Sequence, residues 1–390
     1  MKVYLDNQAT TPVDPRVVEA ISSTLKEEIG NPASSLHAWG WRTEELTNIA
    51  REQVASLIGA NPKNIIFTSG ATESINMTLL GLRESKIKRI LHTTIEHKAV
   101  IYASQELERF GFSREQIPVD RDGRVIIESL ENALKTPTQL VSVIAANNEI
   151  GTIQDMKAIS KLCRQYGALL HLDITQLIGK VPFNISDLGA DFASFSSHKM
   201  YGPKGVGALF GTQDALTQLR PILFGGGQEG GLRSGTLNVP GIVGFGLACK
   251  ILQEEGELVD RHISGLTALL KDILSRDLEG VSFNGDPVNR IPGNLNVRIP
   301  GVDSSRLIGS LALNIALTAA SACLSKTSAS SLVLEAIGLS LQEQKESFRI
   351  GIGRFNTEEE IRWAAQKIVE TAKKISPQQS NHCLGTPILG

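Results

Sequence analysis

The chain has 390 residues, with 39 lysines and arginines against 41 aspartates and glutamates and a formal charge of -2. That balance lacks the basic excess of a protein that binds nucleic acid or an anionic membrane, and the ordinary apolar content suits a soluble globular protein. A chain of this length exceeds one comfortable core, so one large domain with a smaller one is expected. The N-terminal stretch MKVYLDNQATTPVD has no apolar run of signal-peptide length, and no segment approaches a membrane span, so a cytoplasmic location is expected. Cys163, Cys249, Cys323 and Cys383 are widely scattered without a C-x-x-C pair, which suggests neither a disulfide framework nor a metal site.

Apolar runs of strand character alternate with segments of helical period, the pattern of an α/β fold with a mostly parallel sheet. A first helical stripe is formed by Leu46, Ile49, Ala50, Val54 and Leu57. Strands are expected at Ile65–Thr68, Ile90–Thr93, Leu140–Ala145, Leu169–Leu172, Phe192–Phe195 and Gly207–Phe210. Between them Ile159, Leu162, Cys163 and Tyr166 make another stripe, with Asp155 placed to cap its helix. A long helical pattern runs from Gly241 to about Leu274. Beyond it, Phe283–Asn284, Asn294–Val297 and Phe348–Ile352 read as strands. Thr357 with Glu360 forms a capping box at the head of a last helix, Thr357–Lys373. The expected division is a large domain over 16–257, a smaller α+β domain from 1–15 and 258–376, and a loose tail over 377–390.

Several strand ends carry polar residues that a plain scaffold does not need, and ligands of open α/β sheets sit beyond carboxyl ends of strands. Ser69-Gly70-Ala71-Thr72-Glu73-Ser74 follows the first strand and opens a helix. Backbone N–H groups and hydroxyls there suit an anion, although an ordinary strand–helix turn looks the same. Asp173 ends an apolar strand, where a carboxylate needs a cationic partner or several donors. A protonated pyridine nitrogen is one such partner and a helix start another. His97 follows a further strand and, taken alone, reads as a helix-start or core histidine rather than a catalyst. The segment Phe192–Lys199 is the most informative. Its lysine follows a hydrophobic strand and precedes the glycine- and proline-rich turn Tyr201-Gly202-Pro203-Lys204-Gly205, with Ser196 and His198 beside it. Partial desolvation lowers a lysine pKa, as covalent carbonyl chemistry requires. The run Gly225–Thr236 is too rich in glycine for regular structure and allows close backbone approach to a ligand.

Together these segments resemble the cysteine desulfurases, within the class V aminotransferase-like group of fold-type I pyridoxal phosphate enzymes. The resemblance runs from Tyr4-Leu5-Asp6-Asn7-Gln8-Ala9-Thr10-Thr11 to Phe348–Phe355. It includes Gly30-Asn31-Pro32-Ala33-Ser34, Thr68–Ser74, Glu96-His97-Lys98, Asn147-Asn148-Glu149-Ile150-Gly151, Ser197-His198-Lys199 and Arg233-Ser234-Gly235-Thr236. It implies a seven-stranded, mostly parallel sheet flanked by helices, plus the smaller α+β domain. It implies that Lys199 carries pyridoxal 5'-phosphate covalently, that Asp173 pairs with the ring nitrogen, and that Gln176 bonds the ring hydroxyl. His97 would stack on the ring and shuttle protons, while Ala71, Thr72, Ser196 and His198 hold the phosphate. Thr236 would reach the phosphate of a second subunit in a homodimer. Arg349 would bind the substrate carboxylate, and Asn31 and Asn148 would help position substrate and ring.

The reaction is implied by Cys323, in Ala319-Ala320-Ser321-Ala322-Cys323-Leu324-Ser325-Lys326-Thr327-Ser328-Ala329-Ser330. Small residues dominate there and neither helix nor strand pattern is strong, so an accessible, reactive thiol is expected, whereas Cys163 and Cys249 lie on helical stripes. In the family this cysteine takes sulfur from L-cysteine, releases alanine and passes the persulfide sulfur to an acceptor such as an iron–sulfur scaffold. The loop has the long form, with Ala319-Ala320-Ser321 in place of the usual Ser-Gly-Ser and Leu324 in place of threonine. Competing readings are a selenocysteine lyase, another class V lyase or aminotransferase, and a sulfur-carrier or scaffold protein with a vestigial cofactor site.

Overall fold

The apolar, β-branched runs become strands, and most of the polar residues at their ends stay outside them. In chain order the strands are Val3–Tyr4 (β1), Ile65–Thr68 (β2), Arg89–Thr93 (β3), Ser113–Ile117 (β4), Leu140–Ile144 (β5), Leu169–Asp173 (β6), Phe192–Ser196 (β7) and Gly207–Gly211 (β8), then Ser282–Asn284 (β9), Asn294–Arg298 (β10), Ile315–Ala316 (β11), Thr318–Ala319 (β12) and Ser347–Gly351 (β13). The computed structural model describes residues 1–319 and 330–376. Cys323, Cys383 and the tail 377–390 lie outside the described residues.

The main sheet has the order β2-β8-β7-β6-β5-β3-β4. Only β8 runs against its neighbours, pairing antiparallel with both β2 and β7. The carboxyl ends of β2, β3, β5, β6 and β7 therefore share one edge, as a ligand-binding α/β sheet requires. Strands β5, β6 and β7 are buried along their length, with one half-buried residue at the start of β6. Strand β4, which the sequence pattern does not mark, lies at the sheet edge with Arg114, Glu115 and Gln116 in it. An edge strand has one side in water and needs no apolar run.

Helices cover this sheet. In Ala38–Ile58 the buried line is Thr43, Thr47, Ala50, Val54 and Ile58, and Ile49 of the expected stripe is exposed. Periodicity misplaces the stripe because two of its buried members are threonines. They satisfy their hydroxyls locally, Thr43 Oγ1 on Trp39 O at 3.1 Å and Thr47 Oγ1 on Thr43 O at 2.8 Å. Asp155 caps Met156–Gln165 through Ala158 N at 3.0 Å. Cys163 and Cys249 are buried, and burial pushes both thiols up, Cys163 to about 12.

The long helix Val239–Asp277 spans two cores. Ile242, Phe245, Cys249 and Leu252 pack into the core under the main sheet. Ile263, Leu266, Leu270 and Leu274 join a second core with Leu295, Val297, Phe348 and Ile350. That second core backs a smaller antiparallel sheet, β12-β13-β10-β9, with β1 and β11 as a separate parallel pair. The last helix, Glu358–Ile375, begins with the Thr357–Glu360 capping box.

One polar row crosses the buried sheet. His171 on β6 sits between Ser142 Oγ at 2.8 Å and Ser194 Oγ at 2.9 Å. Burial holds its pKa down at about 4, against the pull of the Asp173 carboxylate. In the unfolded chain the imidazole titrates near its ordinary value of about 6.5. Between those values the unfolded state binds the extra proton, so stability is intact above about pH 6.5 and falls as pH drops toward about 4. Urea unfolding across that window should show this loss, and His171→Asn should flatten the slope. An equal slope in wild type and variant would mean that this histidine does not resist protonation in the fold.

Candidate active site

The shared carboxyl edge gathers most of the expected residues. Helix Ala71–Gly81 starts directly after β2, and its N-cap, Gly70, has no side chain to cap it. Gly70 has φ +152°, and a Cβ there would sit 3.2 Å from Ser196 Oγ, so the close approach needs glycine. The first helical N–H, of Ala71, donates to Ser196 Oγ at 2.7 Å. Thr72 is exposed beside it. His198 follows β7, with Nδ1 3.1 Å from Thr10 Oγ1. Burial, then the Lys199 and Lys204 charges, hold its pKa at about 4, so the ring is neutral at pH 7.

Lys199 Nζ donates to the carbonyls of Gln8 at 2.7 Å and Ala9 at 2.6 Å. The same Gln8 carbonyl accepts from Gln176 Nε2 at 3.0 Å. Gln176 Oε1 in turn accepts from Lys180 Nζ. Asp173 is buried at the end of β6, with Oδ1 taking Thr175 N at 3.0 Å. His97 caps helix Lys98–Leu107, its Nδ1 accepting from Ala99 N at 3.1 Å. The neutral ring therefore carries its proton on Nε2. Desolvation lowers the His97 pKa, Asp173 opposes that, and Lys199 and Lys98 add to it. Asp173 and Lys199 thus both bear on one imidazole.

Glu96, beside His97, is almost completely buried. Its Oε1 accepts from Thr93 Oγ1 at 2.6 Å and Ile144 N at 2.8 Å, while Oε2 has no partner. Burial, with a smaller push from Asp173, raises its pKa to about 8. Burial thus favours its neutral acid form.

Arg349 stands on β13, buried, and donates to Asn148 O at 3.0 Å and Asp6 Oδ1 at 2.9 Å. Its Nε is buried without a partner. Strand β12 pairs with β13 so that Thr318 lies opposite Arg349. On the far side of the undescribed segment 320–329, Ser331 Oγ donates to Glu149 Oε2 at 2.6 Å. Burial raises the Glu149 pKa, while the Ser331 bond and the Arg349 and Lys98 charges oppose it. Asn147 holds this loop, with Oδ1 taking Glu149 N at 2.8 Å and Nδ2 donating to Ile95 O at 3.0 Å.

Two expected residues lie apart from this network. Asn31 is exposed, and its hydrogen bonds stay in its own turn, from Ala33 N at 3.0 Å and Ser34 N at 2.9 Å. Thr236 is exposed on the glycine-rich segment, which Arg233 ties to Glu73 of helix Ala71–Gly81 at 2.8 Å. Asp6, Gln8, Asn147, Glu149 and Lys180 belong to the network without having been marked as site residues by the sequence pattern. A weak signal existed for Lys180, four residues after Gln176 on a turn otherwise apolar.

The donor set fits pyridoxal phosphate. An uncapped helix start beside Ser196 and His198 suits the phosphate, the buried Asp173 carboxylate suits a protonated ring nitrogen, and Lys199 supplies the amine. The unpartnered Arg349 Nε leaves a buried donor for a carboxylate. The comparisons agree with this chemistry. The chain is 45% identical over 384 residues to a mitochondrial cysteine desulfurase of Arthroderma benhamiae, covering 96% of this chain and 76% of that protein. It is 43% identical over 376 residues to the cysteine desulfurase IscS of an Anaeromyxobacter species, covering 96% and 93%. A solved NifS-like protein superposes with a TM-score of 0.89 at 38% identity, over 96% of this chain and 100% of the other. With residues 3–363 matched by the family's own pattern, the chain belongs to the aminotransferase class V family.

Proposed function

We propose that this protein is a pyridoxal phosphate-dependent cysteine desulfurase: L-cysteine and the Cys323 thiol become L-alanine and a Cys323 persulfide. The observation that carries the reading is that Lys199, Asp173, His97 and Arg349 share one electrostatic neighbourhood at the sheet's carboxyl edge. The relatives named as cysteine desulfurases support it.

When bound, pyridoxal phosphate supplies an electron sink for the carbon next to the amino group. The protein does the rest. Asp173 holds a proton on the ring nitrogen, and Glu96, being neutral, does not compete for it. Ala71 N, Thr72, Ser196 and His198 hold the phosphate. Gln176 offers its N–H to the ring oxygen. His97 moves a proton at Nε2, where the imidazole stays neutral and available at pH 7. Arg349 binds the substrate carboxylate, with Asp6 and the Asn148 carbonyl fixing the guanidinium plane. Cys323, as thiolate, forms a bond to the substrate sulfur while the carbon–sulfur bond breaks. The electron pair of that bond remains with carbon and is protonated.

The working form in this reading is a homodimer in which Thr236 serves the partner's phosphate and Asn31 the substrate site. Exposed Leu36, Trp39 and Phe224, near these residues in sequence, support a covered surface there. The persulfide passes to an acceptor protein such as an iron–sulfur scaffold.

Two variants test the assignment. Cys323→Ala should retain the cofactor's visible absorption and lose persulfide formation, detected by thiol-trapping mass spectrometry; full alanine production by this variant would sink the reading. Arg349→Gln should raise KM for cysteine about tenfold or more, because a bidentate charged contact is lost. Arg349→Lys should recover only part of that loss, since an ammonium lacks the planar fork. An unchanged KM in both would place the carboxylate elsewhere.

A further inference from the structure

Lys180 has no role in the reaction as derived so far, yet it stands at the centre of the site. It follows β6 on a tight turn, with Leu177 N and Ile178 N both returning to Ile174 O at 2.9 Å and Lys180 N to Leu177 O at 3.1 Å. Leu177 and Ile178 are buried in the main core. Gly179 has φ +71°, and a Cβ there would meet Leu252 Cδ1 at 2.7 Å, so the turn that aims Lys180 inward needs glycine. A lysine serving solubility would point to water. This one donates to Gln176 Oε1.

That contact decides how the Gln176 carboxamide lies. A backbone carbonyl only accepts, so Nε2 must face Gln8 O, and Oε1 then faces Lys180, whose ammonium only donates. A flipped amide would set N–H against N–H at one end and carbonyl against carbonyl at the other. In the observed orientation one Nε2 hydrogen goes to Gln8 O and the second remains to offer a ligand. The charges that bear on Lys180 are those of Lys199 and Arg349, both positive. Burial first, then those two charges, lower its pKa to about 7.

We propose that Lys180 is a positioning residue that locks the Gln176 amide with its N–H side toward the ring oxygen of the cofactor and, when protonated, sets a second positive charge beside Lys199. The proposal rests on the reading that Lys199 carries pyridoxal phosphate. Its physical content is twofold. The locked amide strengthens cofactor binding through one oriented hydrogen bond. While Lys180 is protonated, its charge disfavours by mutual repulsion a further proton at the Lys199 nitrogen.

The test uses the full-length protein loaded with pyridoxal phosphate. The pH midpoint of the bound cofactor's visible absorption change and its dissociation constant, from fluorescence titration of the stripped protein, are measured for three variants. Lys180→Met should move the midpoint up by about one pH unit, the size expected for removing one partly buried neighbouring charge, and weaken cofactor binding about tenfold, the loss of one oriented hydrogen bond. Lys180→Gln keeps a donor for Gln176 Oε1 without the charge, and should move the midpoint while leaving affinity within about threefold. Lys180→Arg should leave the midpoint near that of the wild type. Wild-type midpoint and affinity in folded Lys180→Met, or in Lys180→Gln a wild-type midpoint if the methionine variant does not fold, would overturn the proposal. A wild-type protein with no visible band after adding cofactor would instead overturn the assignment of Lys199.

Discussion

The carbonyl of Gln8 is the point on which the site depends. It accepts from both Lys199 and Gln176, so one backbone oxygen sets the position of two residues that follow different strands. The segment that carries it is fixed from both sides. Toward the small sheet, Gly351 N donates to Leu5 O at 2.7 Å, Asn7 Nδ2 to Gly351 O at 2.8 Å and Gln8 Nε2 to Gly293 O at 3.1 Å. Toward the large sheet, Thr11 N donates to His198 O at 2.9 Å and Tyr201 N to Thr11 Oγ1 at 2.8 Å. Residues 5–11 therefore hold the Lys199 turn in register with the strand that carries Arg349. A shift of either sheet would break buried hydrogen bonds, each costing the desolvation of an unpaired polar group.

Around this seam the electrostatics are sorted by burial. Lys199, Lys180 and Arg349 bring positive charge into one cleft. Glu96 answers with a raised pKa, chiefly because it is buried, with a smaller push from Asp173. Asp173 is then the carboxylate that bears on His97. Burial first, with a smaller contribution from neighbouring cations, lowers the pKa of both His97 and His198. In the proposed reading this arrangement suits an anionic ligand with a carboxylate and a phosphate.

The parts legible in the sequence are those in which one short segment states both its burial and its exception. Asp173, Ser196 and Lys199 each end or follow an apolar strand, so the odd residue stands out locally. The parts that escaped are relations between distant segments. Asp6 and Arg349 are 343 residues apart and meet only because β1 and β13 flank the same seam. The Gln8 carbonyl could not be seen at all, since a backbone oxygen has no residue signature. Ile49 and β4 escaped for a different reason: the buried helix face is built from threonines, and an edge strand is allowed to be polar. The cofactor and reaction came from ordered motifs along the whole chain, which periodicity alone does not supply.

The division of labour follows from this geometry. In the proposed reading, Lys199, Asp173 and the helix start after β2 hold the cofactor and leave the choice of reaction open. The choice lies with the groups that select substrate and accept sulfur, and these are joined through one neighbourhood. Strand β12 places Thr318 opposite Arg349 immediately before segment 320–329. Ser331, just after it, is held by Glu149, whose neighbour Asn148 gives its carbonyl to Arg349. Both flanks of the segment that carries Cys323 are thus fixed to the surroundings of Arg349. The two anchors of segment 320–329 and the Arg349 guanidinium share the same loop and the same strand pair. Changing the reaction in this fold requires rebuilding that corner, while the Lys199 side of the cleft can remain as it is.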